Sequence, residues 1–166
     1  SDNEDDEDEA PAATSGMESI LDICMQLFTP VRRLRWHYRS QHESLIAFSN
    51  HHFYNKNLVV FPSPYAKNPR LGVKYRYVRE GIYKDRQNLP EAQRLVDAVL
   101  EHMLKRTDES LGVVTLNQTQ RELIEELLEK KLKVFAEGAE FMGRWEAEGW
   151  PFFVKNLENV QGDERD

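Results

Sequence analysis

Apolar residues recur with helical spacing in four stretches of the chain. Ile20, Leu21, Cys24, Leu27 and Phe28 predict a helix over residues 17–28, with Ser15 and Glu18 at capping-box spacing and Pro30 as its stop. Leu45, Ile46 and Phe53 are the inward candidates of a helix over residues 43–53. Leu95, Val96, Val99, Leu100 and Met103 follow a second capping box, Asn88 and Glu91, with Pro90 in the first turn. Leu123, Ile124, Leu127, Leu128 and Leu132 follow a third, Asn117 and Gln120. Other stretches read as strands. Val73, Tyr75 and Tyr77 alternate with Lys74, Arg76 and Val78, the period of a strand with one polar face. Residues 33–37 read as a short strand, as do residues 58–61, closed by Pro62 and Pro64. Residues 111–116 (LGVVTL) form a continuous apolar run, which predicts burial on both faces. Residues 152–157 predict a further buried strand, parallel to it. Trp145 and Trp150 bracket a Gly/Glu stretch and are read as packing.

Strands alternating with helices predict an α/β fold, a mainly parallel sheet flanked by helices through right-handed crossovers. In such sheets the working residues sit just past the carboxyl ends of strands. Three places answer that description: Tyr38 and Arg39, residues 115–120, and residues 159–164.

Composition adds a constraint on partners. The chain has 166 residues, 40% of them hydrophobic, enough for one domain with a core and too apolar for disorder throughout. Its net charge of −7 is a sum of unlike parts. Residues 1–9 hold seven acids and no base. Residues 31–86 hold twelve Lys/Arg against Glu43, Glu80 and Asp85, a net of +9. Residues 87–166 hold ten bases and seventeen acids. The basic segment is also rich in Tyr and Phe, which suits a phosphate-bearing partner. Cys24 is the single cysteine, so an internal disulfide and a cysteine-based metal cluster are excluded. No apolar run approaches the ~20 residues of a membrane span, and the acidic start is unlike a signal peptide. The chain begins without Met and stops at GDERD, so it is read as a piece of a longer protein. Residues 1–16 are expected to be a mobile acidic tail or insertion.

The chemistry begins with what is missing. No glycine is followed by lysine, so there is no GK[ST] phosphate loop, and HExxH and GxSxG are also lacking. Arg39, between a strand and a helix, is placed to reach the γ-phosphate of a nucleotide on a neighbouring domain. The alternative is a surface arginine in a basic segment. Gln161 offers donor and acceptor together, Gly162 permits close backbone approach, and Glu164 can accept from a ribose hydroxyl or position an arginine. The alternative is a polar turn. Thr115 and Asn117 lie where a strand meets a helix N-terminus, which favours phosphate, although capping alone accounts for Asn117. No acid cluster joins His37, His42, His51 and His52, so no metal site is expected. Tyr75 and Tyr77 suit either base stacking or core packing.

Longer stretches carry a resemblance. LRWHYRSQHESLIAFSNHHFYNKNL resembles motif IV of superfamily 1 helicases and the helix after it. SLGVVTLNQTQRELIEELL resembles the strand-helix unit that reads G-V-I-T-P-Y-x-x-Q in that family. FFVKNLENVQGDERD resembles motif V. Order and spacing match from about residue 17 onward, and the nearest likeness is to the group that includes the nonsense-mediated-decay helicase. The resemblance implies a RecA-like P-loop NTPase fold, here an incomplete second motor domain over residues 17–166. It implies a cytoplasmic, ATP-dependent parent that uses Mg²⁺, binds single-stranded nucleic acid, and carries its phosphate loop on a first RecA-like domain of the same chain. By that resemblance Arg39 contacts the γ-phosphate and Tyr38 lies near the base. Gln161, Gly162 and Glu164 couple nucleotide to track. Thr115, Asn117 and Gln120 approach the nucleic-acid backbone. His37 stands where the family has Gln, and Leu116-Asn117 where it has Pro-Tyr. The piece alone is expected to lack ATPase activity. Two rival readings are a non-catalytic nucleic-acid-binding or interaction domain, and a nuclease acting through the acids of residues 158–164.

Overall fold

The computed structural model describes residues 19–64 and 70–165. The expected cap at Ser15 and the acidic tail lie outside them. The chain divides into two compact units, Ser1–Lys74 and Tyr75–Asp166.

The first unit holds helix α1 (Ile20–Leu27), strand β1 (Trp36–His37), helix α2 (Ser44–His52) and strand β2 (Val59–Val60). Ser19 caps α1, its hydroxyl accepting from the Asp22 N–H at 3.3 Å. The two strands pair in parallel, Trp36 with Val59 and His37 with Val60. Each is shorter than its apolar run predicts. Three side-chain ties organise the connections. Asn50 closes the loop after α2 by donating to the Leu58 carbonyl at 3.3 Å and accepting its N–H at 3.0 Å. Glu43 accepts the Ser63 N–H at 2.7 Å. Ser44 accepts the Val73 N–H at 3.0 Å. Gly72 sits at φ +82° against that last tie, and a Cβ there would meet the Ser44 hydroxyl at 2.8 Å. The α2 face is less buried than expected, and α1 also leaves apolar side chains exposed, although Cys24 on its stripe is half-buried. Ile20 is 80% exposed and Phe53 73%; of the α2 candidates, Leu45 is exposed and Ile46 alone is half-buried.

The second unit contains the core. Helix α3 (Leu89–Lys105), strand β3 (Gly112–Thr115), helix α4 (Gln118–Leu132), helix α5 (Ala136–Ala147) and strand β4 (Phe153–Asn156) follow in order, and a 3-10 turn spans Leu157–Asn159. As predicted, β4 pairs parallel to β3, from Gly112 with Phe153 to Thr115 with Asn156. The stripes on α3 and α4 are also borne out: Val96, Val99 and Met103 meet Ile124 and Leu128 in one buried cluster. Fully burying side chains of this kind stabilises by about 1.5–3 kcal/mol each. Helix α5, which the sequence reading passes over, adds Phe141 and Trp145 to that cluster. Its signal is the spacing of Gly138, Phe141, Met142 and Trp145. Trp145 is packing as expected, whereas Trp150 is 42% exposed and lies under the Arg165 guanidinium, 5.6 Å from its ring centre.

Three strand expectations fail, one of them in β4, which is half-buried along its length and not buried. LGVVTL is buried on one face only: Val113 and Thr115 point into the core, while Val114 and Leu116 are exposed. Residues 73–78 belong to no strand, and the helices, not the tyrosines, fill the core. The observed fold is thus mixed helix and strand, with parallel pairing in two short sheets.

Candidate functional site

The first predicted position is the turn after β1. His37, at the strand's end, accepts at Nε2 from the Ser40 N–H at 3.2 Å and lies 2.8 Å from the Ser40 hydroxyl. That pair closes a loop around Tyr38 and Arg39. Tyr38 is 90% exposed, and Arg39 is exposed as well. His37 and Ser40 therefore shape this turn. The other histidines have local roles. His42 Nδ1 accepts the Ser44 N–H at 3.2 Å, and His51 and His52 stack edge-on with ring centres 4.7 Å apart. Among the described residues no group of three His, Cys, Asp or Glu side chains is arranged to hold a metal ion.

The second position is the turn from β3 into α4, and the structure joins its residues into one network. Thr115 is buried at the strand's end and donates its hydroxyl to the Asn117 carbonyl at 3.0 Å. Asn117 caps α4 by accepting the Gln120 N–H at 2.9 Å and donates through Nδ2 to the Tyr83 hydroxyl at 3.3 Å. Gln120 turns its amide towards the other helix start. Its Oε1 accepts the Asn88 N–H at 2.8 Å and its Nε2 donates to the Asn88 carbonyl at 3.1 Å. Asn88 is itself the cap of α3, accepting the Glu91 N–H at 3.2 Å. Two helix N-termini are thereby tied together at the carboxyl end of β3. Helix starts carry unsatisfied N–H groups and a positive dipole end, so this edge favours anions.

The third position is the loop after β4. Thr115 and Asn156 are register partners, so the β4 exit lies beside the β3–α4 turn. Gln161 and Gly162 are exposed. Gly162 has φ +88° and open space where a Cβ would stand, so the turn requires glycine for its backbone and leaves one side clear. Two interactions that sequence reasoning missed hold the loop. Lys155 on β4 pairs with Asp163 at 2.6 Å. Arg165 donates to the Pro151 carbonyl at 2.5 Å and lies 4.6 Å over the Phe153 ring. A lysine following an apolar strand start, eight residues before Asp163, was the available signal.

Tyr38 and Arg39 thus share one turn in the first unit; Thr115, Asn117 and Gln120 share one network in the second, with Gln161, Gly162 and Glu164 on the adjoining loop. The second unit is a parallel β-α-α-β arrangement whose candidate residues gather beyond the strands' carboxyl ends.

The chain is similar to two curated proteins. It is 38% identical over 139 residues to "Uncharacterized ATP-dependent helicase MG140" of Mycoplasma genitalium. It is 37% identical over 137 residues to the protein named as its homolog in Mycoplasma pneumoniae. Each alignment covers 80% of this chain but 12% of the relative, so the chain spans about an eighth of the length of the curated relatives it matches. No family model matches the chain, and no solved structure does. No helix among the described residues is long and apolar enough to cross a membrane.

Proposed function

We propose that this chain is part of an ATP-dependent nucleic-acid helicase or translocase and forms most of a second, RecA-like motor domain. The observation that carries this reading is the similarity over four-fifths of the chain to proteins named ATP-dependent helicases. The geometry supports it: each candidate group sits just beyond the carboxyl end of a parallel strand, where α/β sheets do their work.

In this reading ATP with Mg²⁺, held mainly by a first motor domain of the same polypeptide, supplies the phosphoryl group and its charge. The residues of this chain fit the edge of such a site. Arg39 is an exposed guanidinium on a turn braced by His37 and Ser40, suited to neutralising negative charge on a transferring phosphoryl group. Tyr38 offers a ring beside it. Gln161 and Glu164 are exposed on the same loop as Gly162, which has open space where a Cβ would stand, and the loop is anchored by Lys155 and Asp163. The neighbouring β3–α4 turn, with Thr115, Asn117 and Gln120, forms part of a track for single-stranded nucleic acid. The strand is gripped mainly by its backbone, so binding is salt-sensitive and tolerant of sequence. The setting is cytoplasmic.

The test is Arg39→Ala in the full-length protein. Nucleic-acid-stimulated ATP hydrolysis should fall by about 10³-fold or more, while ATP binding is retained. Unchanged turnover would remove Arg39 from this role.

A further inference from the structure

We propose that Tyr75 and Tyr77 form a base-stacking platform for single-stranded nucleic acid, distinct from the β3–α4 turn. The proposal rests on the single-strand part of the function above and not on ATP coupling. Alternating tyrosines on an extended segment are ordinarily explained by core packing. Here the core of the second unit is complete without them. Tyr75 is 86% exposed and Tyr77 73%. They stand two positions apart in a segment without regular secondary structure. Their rings lie 6.4 Å apart at the centroids and 29° from parallel. Two large, nearly co-oriented rings therefore face solvent together, an arrangement that costs hydration and is matched by the flat face of a base.

Charge selects the occupant. Lys74, Arg76, Arg79, Lys84 and Arg86 flank the rings against Glu80 and Asp85, and all five cations are exposed. Among the described residues, the ion pairs within 4.0 Å lie elsewhere and engage none of these five. Of the five, Arg76 feels the Glu101 carboxylate at longer range. Aromatic faces among exposed cations outside close ion pairs are the two parts of a sequence-tolerant single-strand site: the rings stack on bases and the cations hold phosphates.

The segment is also continuous with the proposed track. Asp85 and Arg86 both have positive φ, 51° and 65°. They make a tight turn closed by mutual Lys84 and Gln87 backbone hydrogen bonds of 2.8 and 2.9 Å. Tyr83, at the head of that turn, receives the Asn117 side-chain hydrogen bond, and Gln87 donates to the Thr119 carbonyl at 3.4 Å. The basic hairpin is therefore fastened to the turn that carries Thr115 and Asn117.

The experiment measures fluorescence anisotropy of the 166-residue chain with labelled oligothymidylate of about 12 nucleotides, oligouridylate, and an abasic strand of equal length. The variants are Tyr75→Leu, Tyr77→Leu, the two Phe counterparts, and Asn117→Ala. Each Leu variant should weaken binding of the base-bearing strands by about tenfold and leave the weaker abasic binding unchanged. The Phe variants should bind like wild type. Asn117→Ala should weaken all strands alike. Leu variants that bind as wild type would overturn the platform while leaving the track standing. Equal losses on base-bearing and abasic strands would also overturn it, because the rings would then act through the fold. A concentration-dependent dimer abolished by the Leu variants would assign the rings to a second copy of the chain. Failure of the wild-type chain to bind any strand would overturn platform and track together. Circular dichroism of each variant identifies a loss of fold, and the Phe pair keeps the test open if a Leu variant unfolds.

Discussion

Replacing Gln120 by alanine separates a structural role from a binding one at a residue that offers both. Its amide makes two hydrogen bonds to the Asn88 backbone, at 2.8 and 3.1 Å. These tie the start of α4 to the start of α3 across thirty-two positions of sequence. A neutral hydrogen bond contributes about 1 kcal/mol net, and more when its loss strands a buried partner. The bridge is half-buried, so water reaches part of what is uncovered. Gln120→Ala should therefore cost about 2 kcal/mol. With a urea dependence of about 1–3 kcal/mol per molar, the unfolding midpoint should fall by roughly 1 M. Gln120→Glu keeps an acceptor for the Asn88 N–H and loses the donor, so it should lose about half as much. Urea titration followed by circular dichroism reads both. A Gln120→Ala midpoint equal to wild type would refute the bridge. Oligonucleotide binding, measured where both proteins are folded, then reports what Gln120 contributes to a track beyond holding its turn in place.

Other expectations follow from single side chains. An alanine at Gly112 would place its Cβ 2.4 Å from the Phe153 ring. That ring is held by Arg165 at 4.6 Å and Lys155 at 4.9 Å, so it cannot yield freely. Gly112→Ala should cost about 1–3 kcal/mol, and adding Phe153→Leu should recover part of the loss. A neutral Gly112→Ala by thermal melting would contradict the β3–β4 packing. The Glu43 carboxylate is held below its usual 4.5, chiefly by the Ser63 N–H and also by backbone hydrogen bonding at its own residue. A lowered folded value means that this contribution is present above about pH 4.5 and is lost as pH falls through the lowered value. The wild-type advantage over Glu43→Gln in melting temperature should accordingly shrink on acidification below that point. A constant difference across that range would exclude the carboxylate as its source.

How much of this was legible in the sequence depended on which interactions set each element. The α3 and α4 stripes and the Asn88 and Asn117 caps were readable because both are local: a period of 3.6 and an oxygen three residues from an N–H. The parallel β3–β4 pairing was also readable, since two short apolar runs separated by helical sequence leave few alternatives. Helix α5 was hidden by its glycines and by glutamates that lower its apolar contrast. Gly138 is nonetheless buried against Leu132 and Phe135, where a Cβ would come within 2.5 Å of the leucine, so the glycine serves close packing and not a break. The strand expected at residues 73–78 failed for a different reason. Alternation reports what a segment offers to a sheet, not whether a neighbour accepts it. At the candidate sites the types of residue were legible and their engagements were not. Nothing local predicts that Gln120 reaches Asn88, or that His37 braces the Arg39 turn through Ser40.

Those engagements also change what the charge means. On α4 three of the four acids are answered on their own helix, and one acid each at the ends of α3 and α5 is answered likewise. Glu101 pairs with Lys105, Glu125 with Arg121, Glu126 with Lys130, Glu129 with Lys133 and Glu148 with Arg144, each four residues apart. Such exposed pairs contribute only about 0.2–1 kcal/mol to stability. They do, however, cancel the local field that a polyanion would otherwise feel. The cations of residues 74–86 make no close ion pair among the described residues, Glu101 acting on Arg76 only at longer range, so an approaching phosphate meets them and not the net −7. For a single strand, each phosphate that a cation no longer neutralises takes about 0.7 from the slope of log affinity against log salt. Replacing Lys84 and Arg86 together by glutamine should therefore flatten that slope by about 1.4 while leaving the melting temperature nearly unchanged. Replacing Lys130 and Lys133, which are spent on their own helix, should leave the slope as it was. An equal effect from both pairs would mean that overall charge, and not this segment, governs the attraction.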